Sequence, residues 1–195
     1  MARKAGVTAA ETRAQLLEAA ADVFAEKGYD GASISAITRT AGLSSGAIYA
    51  HYGSKADLFL AVLEEFCRGQ YRHLIGTPAV RDVVDFAAIA GSRVDRREPR
   101  PAALMLEAIV AAKRDPEVRD LVMAYLADGE AQIAGAVKAG QHAGTVAADV
   151  GDQAFSRFVT MIGLGSALAA TVGLPAPDHH DWAALVERLA ATLRA

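Results

Sequence analysis

Apolar residues recur at helical spacing along most of the chain, and no alternating segment of useful length interrupts them. Leu17, Ala20, Ala21 and Phe24 form the inner stripe of a first helix. It starts at Thr8-Ala-Ala-Glu11, which has capping-box spacing, and ends at Gly28. Ser33 caps a second helix, and Ile34 and Ile37 give it an apolar side. Ala41-Gly42-Leu43 makes a turn, with Gly42 free to take positive φ. Ser44 caps a third helix, in which Ile48 and Tyr52, four apart, share one face. Ser54-Lys-Ala-Asp57 repeats the start signal for a fourth helix. Leu58, Phe59, Val62, Leu63 and Phe66 line that helix, which is predicted to reach about His73 and to break at Gly76-Thr77-Pro78. Further helices are predicted over about 79–94, 102–113, 117–141, 152–172 and 181–194. They are separated by the charged turn 95–101, Asp115-Pro116, a loop at 144–151 and the Gly/Pro segment 173–177. The expected fold is all-α, with roughly nine helices and a short basic arm at residues 1–7.

The outer face of the third helix narrows the choice of function. Ser45, Gly46, Tyr49, Ala50 and His51 remain for it; they are small, hydroxylic or aromatic, and none is acidic. Two short helices around a tight turn, the second with such a face, have the layout of a helix-turn-helix that enters a DNA major groove. A recognition helix must come within hydrogen-bond reach of base edges, so small residues suit the contact. Ser45 offers a hydroxyl to bases or phosphate, and Gly46 allows close backbone approach. Tyr49 and His51 would present a hydroxyl and an imidazole N–H to phosphates. Lys55 suits a phosphate as a point charge, and Ser33 at the start of the second helix offers its hydroxyl and backbone N–H groups. Ordinary surface roles stay open for Tyr49 and His51. Arg39 is open between phosphate contact and solvated surface, and Tyr52 reads as core.

The run from Gln15 to Leu63 resembles the DNA-binding head of the tetracycline-repressor (TetR) family of bacterial transcription regulators. The matching pieces are LLEAAADVFAEKGYDGASISAI, AGLSSGAIYAHY and SKADLFLAV, in order and without a gap, over about a quarter of the chain. They combine a Phe-x-x-x-Gly-Tyr helix end, an Ala-Gly turn, a Gly-x-x-Tyr-x-His-Tyr recognition helix and a Ser-Lys helix start. The resemblance implies that Ser33, Ser44, Ser45, Gly46, Tyr49, His51 and Lys55 stand at the family's DNA-contact positions. Many members carry Lys or Arg where this chain has Ser45, and a small alanine where it has Thr38. The first departure removes an obvious guanine reader. The resemblance also implies a helix-turn-helix domain at 8–55 (the motif itself about 33–52), a helical effector-binding and dimerisation domain at 56–195, and a repressor as the commonest role. In that scheme a homodimer sets two recognition helices about 34–36 Å apart on palindromic double-stranded DNA, and a small-molecule effector lowers DNA affinity.

Composition changes this picture little. The chain has 195 residues, 52% hydrophobic, with a formal net charge of −3, so no global basic field points to nucleic acid. Within the first 55 residues Arg3, Lys4, Arg13, Lys27, Arg39 and Lys55 nearly balance Glu11, Glu18, Asp22, Glu26 and Asp30. The DNA reading therefore rests on motif and placement. A single cysteine, Cys67, excludes an internal disulfide and suits a reduced, partly buried residue of a cytoplasmic protein. The N-terminus lacks the apolar run of a signal peptide, and Phe158 to Leu174, the nearest approach to a membrane span, reads as a buried helix.

The C-terminal part carries no nucleophile–base pattern, glycine-rich phosphate loop or clustered metal ligands, so no cofactor, metal or catalytic residue is expected. The adjacent His179 and His180 would point about 100° apart on a helix and read as loop or cap residues. Phe86, Met105, Ile109, Met123, Phe158 and Met161 are candidates for a ligand cavity, ordinary core being the alternative for each. Glu107 is the candidate polar anchor, with a solvated face as its alternative. The apolar, Gly/Ala/Ser-rich run from Phe155 to Leu174 and the amphipathic helix bearing Trp182, Leu185, Val186, Leu189 and Leu193 suit a dimer surface. The alternative function is a helical small-molecule-binding protein or enzyme that keeps the helix-turn-helix as scaffold only; the acid-free Ser44–His51 face speaks against it.

Overall fold

The computed structural model describes residues 8–68, 82–92 and 99–195. These residues form nine α-helices and one π-helical turn, with no strand among them. The helices are α1 (Ala9–Gly31), α2 (Ile34–Ala41), α3 (Ser45–Tyr49), α4 (Lys55–Val62), α5 (Val83–Ser92), α6 (Pro99–Ala112), α7 (Pro116–His142), α8 (Asp152–Thr171) and α9 (His179–Ala191). The π-helical turn Leu63–Arg68 continues α4. The basic arm, the expected extension of α4 to His73, the Gly76-Thr77-Pro78 break, both ends of the helix expected over 79–94 and residues 95–98 of the charged turn lie outside the described residues.

The local signals act as their chemistry requires. The Thr8 N–H donates to Glu11 Oε2 at 2.7 Å while the Glu11 N–H donates to Thr8 Oγ1 at 3.2 Å, a complete capping box. The Thr8 N–H holds the Glu11 carboxyl below its ordinary value. Asp115 and Asp178 cap α7 and α9 through their side chains, and Pro116 opens α7. Two boundaries differ from expectation. Pro99 and Pro101 open α6 instead of closing the turn before it, because a proline's missing N–H costs nothing in a first helical turn. Helix α9 starts at His179, two residues early, because the Asp178 carboxylate accepts the Asp181 N–H at 3.0 Å.

The apolar residues gather in two clusters. The larger runs from Leu16, Phe24, Ile37, Ile48 and Phe59 to Leu104, Ala108 and Val118, so the helix-turn-helix shares its core with α6 and α7. Helix α1 packs on α2, α4 and α6. The smaller cluster joins Val83, Val84, Val137, Val146, Phe155 and Ala190 from α5, α7, α8 and α9 with the loop after α7. Helix α8 packs on α6 and α7 but buries only Phe155, Ser156, Ser166 and Ala167. It is long and apolar enough to cross a membrane by length and composition, and the expectation of a buried helix fails here: most of its surface is uncovered in one chain.

Candidate functional site

The scaffold of the motif closes by backbone hydrogen bonds. Gly42 sits at φ 63°, ψ 27°, and its N–H donates to the Arg39 carbonyl at 3.2 Å. The Leu43 N–H donates to the Thr38 carbonyl at 3.0 Å, which completes a Schellman end to α2. Gln15 Nε2 reaches back from α1 to the Ala41 carbonyl at 2.8 Å and pins the turn. Ser33 caps α2 by accepting the Ala36 N–H at 3.2 Å. Ile48 is fully buried and Tyr52 packs partly buried against the same core, so one side of α3 is fixed. Burial pushes the Tyr52 hydroxyl above its usual value, with Arg13 opposing, which agrees with a core role.

The other side of α3 faces outward. Ser33, Ser44, Ser45, Gly46 and His51 are exposed, and Tyr49 is 60% exposed. Arg39 joins them, and the sequence from Ser33 to Ala56 holds no acidic residue. Two of the expectations need correction. Ser44 has the extended backbone of an N-cap, but its hydroxyl makes no capping bond. Lys55 is not a free point charge. Its ammonium donates to the Tyr29 carbonyl at 2.8 Å and the Ala32 carbonyl at 3.2 Å, 4.2 Å from the centre of the Tyr29 ring. The chain leaves its α1 helix at Gly28, and Lys55 takes up the carbonyls freed there.

A cavity of about 820 Å³ lies among α5, α6, α7, α8 and α9. Phe86, Met105 and Phe158 border it, together with Phe155, Trp182 and Leu185. Four expected ligand residues lie elsewhere. Met123 and Met161 are 60% and 61% exposed, Ile109 faces outward, and Glu107 turns toward α1. On helices that are apolar nearly all round, spacing does not tell which side is inside. Arg68 and Tyr125 also stand at the cavity wall, where no local sequence signal places them. The Arg68 guanidinium donates to Asp128 Oδ2 and to the Tyr125 carbonyl, each at 2.7 Å, and lies 4.3 Å from the centre of the Tyr125 ring. Burial pushes the Tyr125 phenol far up, so it stays a neutral donor. Among the described lining residues the two charged groups, Arg68 and Asp82, are both ion-paired; Asp82 pairs with Arg194 at 3.2 Å. No group of three metal-ligating side chains occurs among the described residues.

Among the described residues, an acid-free helix after a tight turn, beside a helical body with an apolar cavity, has the architecture of a helix-turn-helix regulator. The profile of the family described as "Bacterial regulatory proteins, tetR family" matches residues 16–62. An uncharacterized HTH-type transcriptional regulator of Mycobacterium bovis is 32% identical over 143 residues, which are 71% of this chain and 72% of that one. The HTH-type transcriptional repressor AcnR of Corynebacterium jeikeium is 46% identical over 59 residues, which span 30% of this chain and 31% of AcnR. Among solved structures, GusR of Salmonella enterica superimposes with a TM-score of 0.75 at 22% identity, over 93% of this chain and 94% of that one. The chain belongs to the TetR family of bacterial transcription regulators.

Proposed function

We propose that this protein is a cytoplasmic, homodimeric repressor that binds a palindromic operator through residues 8–55 and is released by an uncharged, largely apolar ligand held in residues 56–195. The observation that carries the DNA half is the exposed, acid-free face of Ser44, Ser45, Gly46, Tyr49 and His51, fixed from behind by buried Ile48. Tyr49 and His51 reach phosphates, Ser45 and Gly46 meet base edges, and Ser33 contacts the neighbouring phosphate. Lys55 keeps one of its three donors for phosphate after holding two backbone carbonyls.

The ligand class follows from the cavity wall. A charged molecule would leave water for a site whose described charges are already neutralised by partners. An apolar molecule with one or two polar groups fits, with the Tyr125 hydroxyl and the Gln132 amide as polar contacts. The uncovered apolar surface of α8 and its C-terminal end away from the cavity, with Met161, Leu168 and Val172 exposed, is assigned to the second subunit. A gel-shift with DNA from the gene's own upstream region tests the reading. The wild-type chain is expected to shift it and Tyr49→Ala to shift it more weakly; failure of the wild-type chain to bind contradicts the proposal.

A further inference from the structure

Glu107 sits on α6 yet acts on α1. Its Oε2 accepts the Tyr29 N–H at 3.2 Å across 78 residues of sequence. The bond exists because Gly28, at φ 71° and ψ 170°, breaks the helical ladder and leaves the next N–H without an intrahelical acceptor. A Cβ on Gly28 would lie 2.7 Å from Glu107 Oε2, so the missing side chain is what admits the carboxylate. On the opposite side the Lys55 ammonium holds the Tyr29 and Ala32 carbonyls. The corner that leads into Ser33 and α2 is thus held at its N–H by the body and at its carbonyls by α4.

The same helix reaches the cavity two residues earlier, at Met105, and again at Pro101 and Ala102. Helix α6 also ties to α1 through Arg100, whose Nη1 lies 2.8 Å from Glu18 and 2.9 Å from Asp22. A shift of α6 therefore reaches the head along this seam, and the Glu107–Tyr29 bond lies at its end nearest the recognition motif. We propose that Glu107 is a positioning residue for DNA recognition: its carboxylate latches the α1 corner, fixes how α2 and α3 are presented, and joins the cavity helix to the head. The inference rests on the proposed DNA-binding function.

The test measures binding to fluorescently labelled upstream DNA by anisotropy for wild type, Glu107→Ala, Glu107→Gln and Leu104→Ala, with thermal melts of each. Leu104 is fully buried on the same helix and serves as a control for simple destabilisation. Glu107→Ala is expected to lose about tenfold or more in DNA affinity at a temperature where it is fully folded. Glu107→Gln keeps an oxygen acceptor for the Tyr29 N–H and is expected to recover most of that loss. Leu104→Ala is expected to melt lower than Glu107→Ala while binding DNA better. Wild-type affinity in Glu107→Ala, or an equal loss in folded Leu104→Ala, overturns the latch and leaves the DNA-binding reading standing. No binding by the wild-type chain overturns both.

Discussion

The two ends of this molecule treat their apolar residues in opposite ways. In the N-terminal third, Leu16, Phe24, Ile37, Ile48 and Leu58 are fully buried by the chain itself. In the C-terminal third, Phe158, Met161, Val172 and Leu174 are each more than half exposed, and the cavity opens among the same helices. A rigid head suits a surface that must present hydroxyls and rings to a duplex within hydrogen-bond tolerance. An uncovered body suits elements that are completed by something else, in the proposed function a second subunit and a ligand. Joining them is the shared core of α1, α4, α6 and α7, so the head packs directly on helices that also wall the cavity.

The largest expected effect removes the cover of the body. An added Cβ at Gly165 would meet nothing within 4 Å, so Gly165→Arg should leave the subunit folded. It should yield monomers by light scattering and lower operator affinity by about a hundredfold or more, since two linked half-sites become one. A Gly165→Arg variant that stays dimeric contradicts the assignment of this face. Next in size is Gly28→Ala. Its φ of 71° with ψ of 170° is a region essentially reserved for glycine, and the new methyl would meet Glu107. A loss of about 1–3 kcal/mol in thermal or denaturant unfolding is expected; unchanged stability would mean the corner relaxes freely.

The head can be probed without disturbing its core. Tyr49→Ala should weaken operator binding by about tenfold with an unchanged melt, because the ring is exposed. Lys55→Ala should differ by lowering both the melting temperature and DNA affinity, because its ammonium holds two backbone carbonyls. An unchanged melt for Lys55→Ala would show that it serves DNA only. The salt slope of binding should also fall, by about one unit per site engaged.

What the sequence reveals and what it conceals divides along the same line. The elements of the head carry their own signals within a few residues: Thr8 with Glu11, Gly42 at positive φ, Ser54 with Asp57. The all-α fold and the outer face of α3 are therefore legible. The bonds that join the head to the body are not. Tyr29 finds Glu107 across 78 residues and Lys55 across 26, and Arg68 finds the Tyr125 carbonyl across 57. No local pattern encodes such pairs. Nor does spacing show which side of α8 faces the cavity, since both sides are apolar; Phe158 borders it and Met161 does not.

The smallest expected effect lies at the joint. Burial first, then the carboxylates of Asp115, Glu117 and Asp30, push the Tyr29 phenol up to about 12. The phenol is neutral in the fold, so its contribution to stability is complete below the ordinary value near pH 10 and is lost as pH rises toward about 12. Tyr29→Phe should therefore flatten alkaline destabilisation between those limits, read by melts from pH 9 to pH 12. An identical alkaline profile in the variant would assign the loss to other groups.

Coupling between cavity and operator is the central property of the proposed regulator. Its direct measurement is a thermal-shift screen of uncharged apolar and of highly charged metabolites, with DNA release titrated by anisotropy for each stabilising compound. The expected result is that uncharged, largely apolar compounds raise the melting temperature and release DNA over the same concentration range. Stabilisation by highly charged compounds alone, or by apolar compounds that leave DNA affinity unchanged, would contradict it.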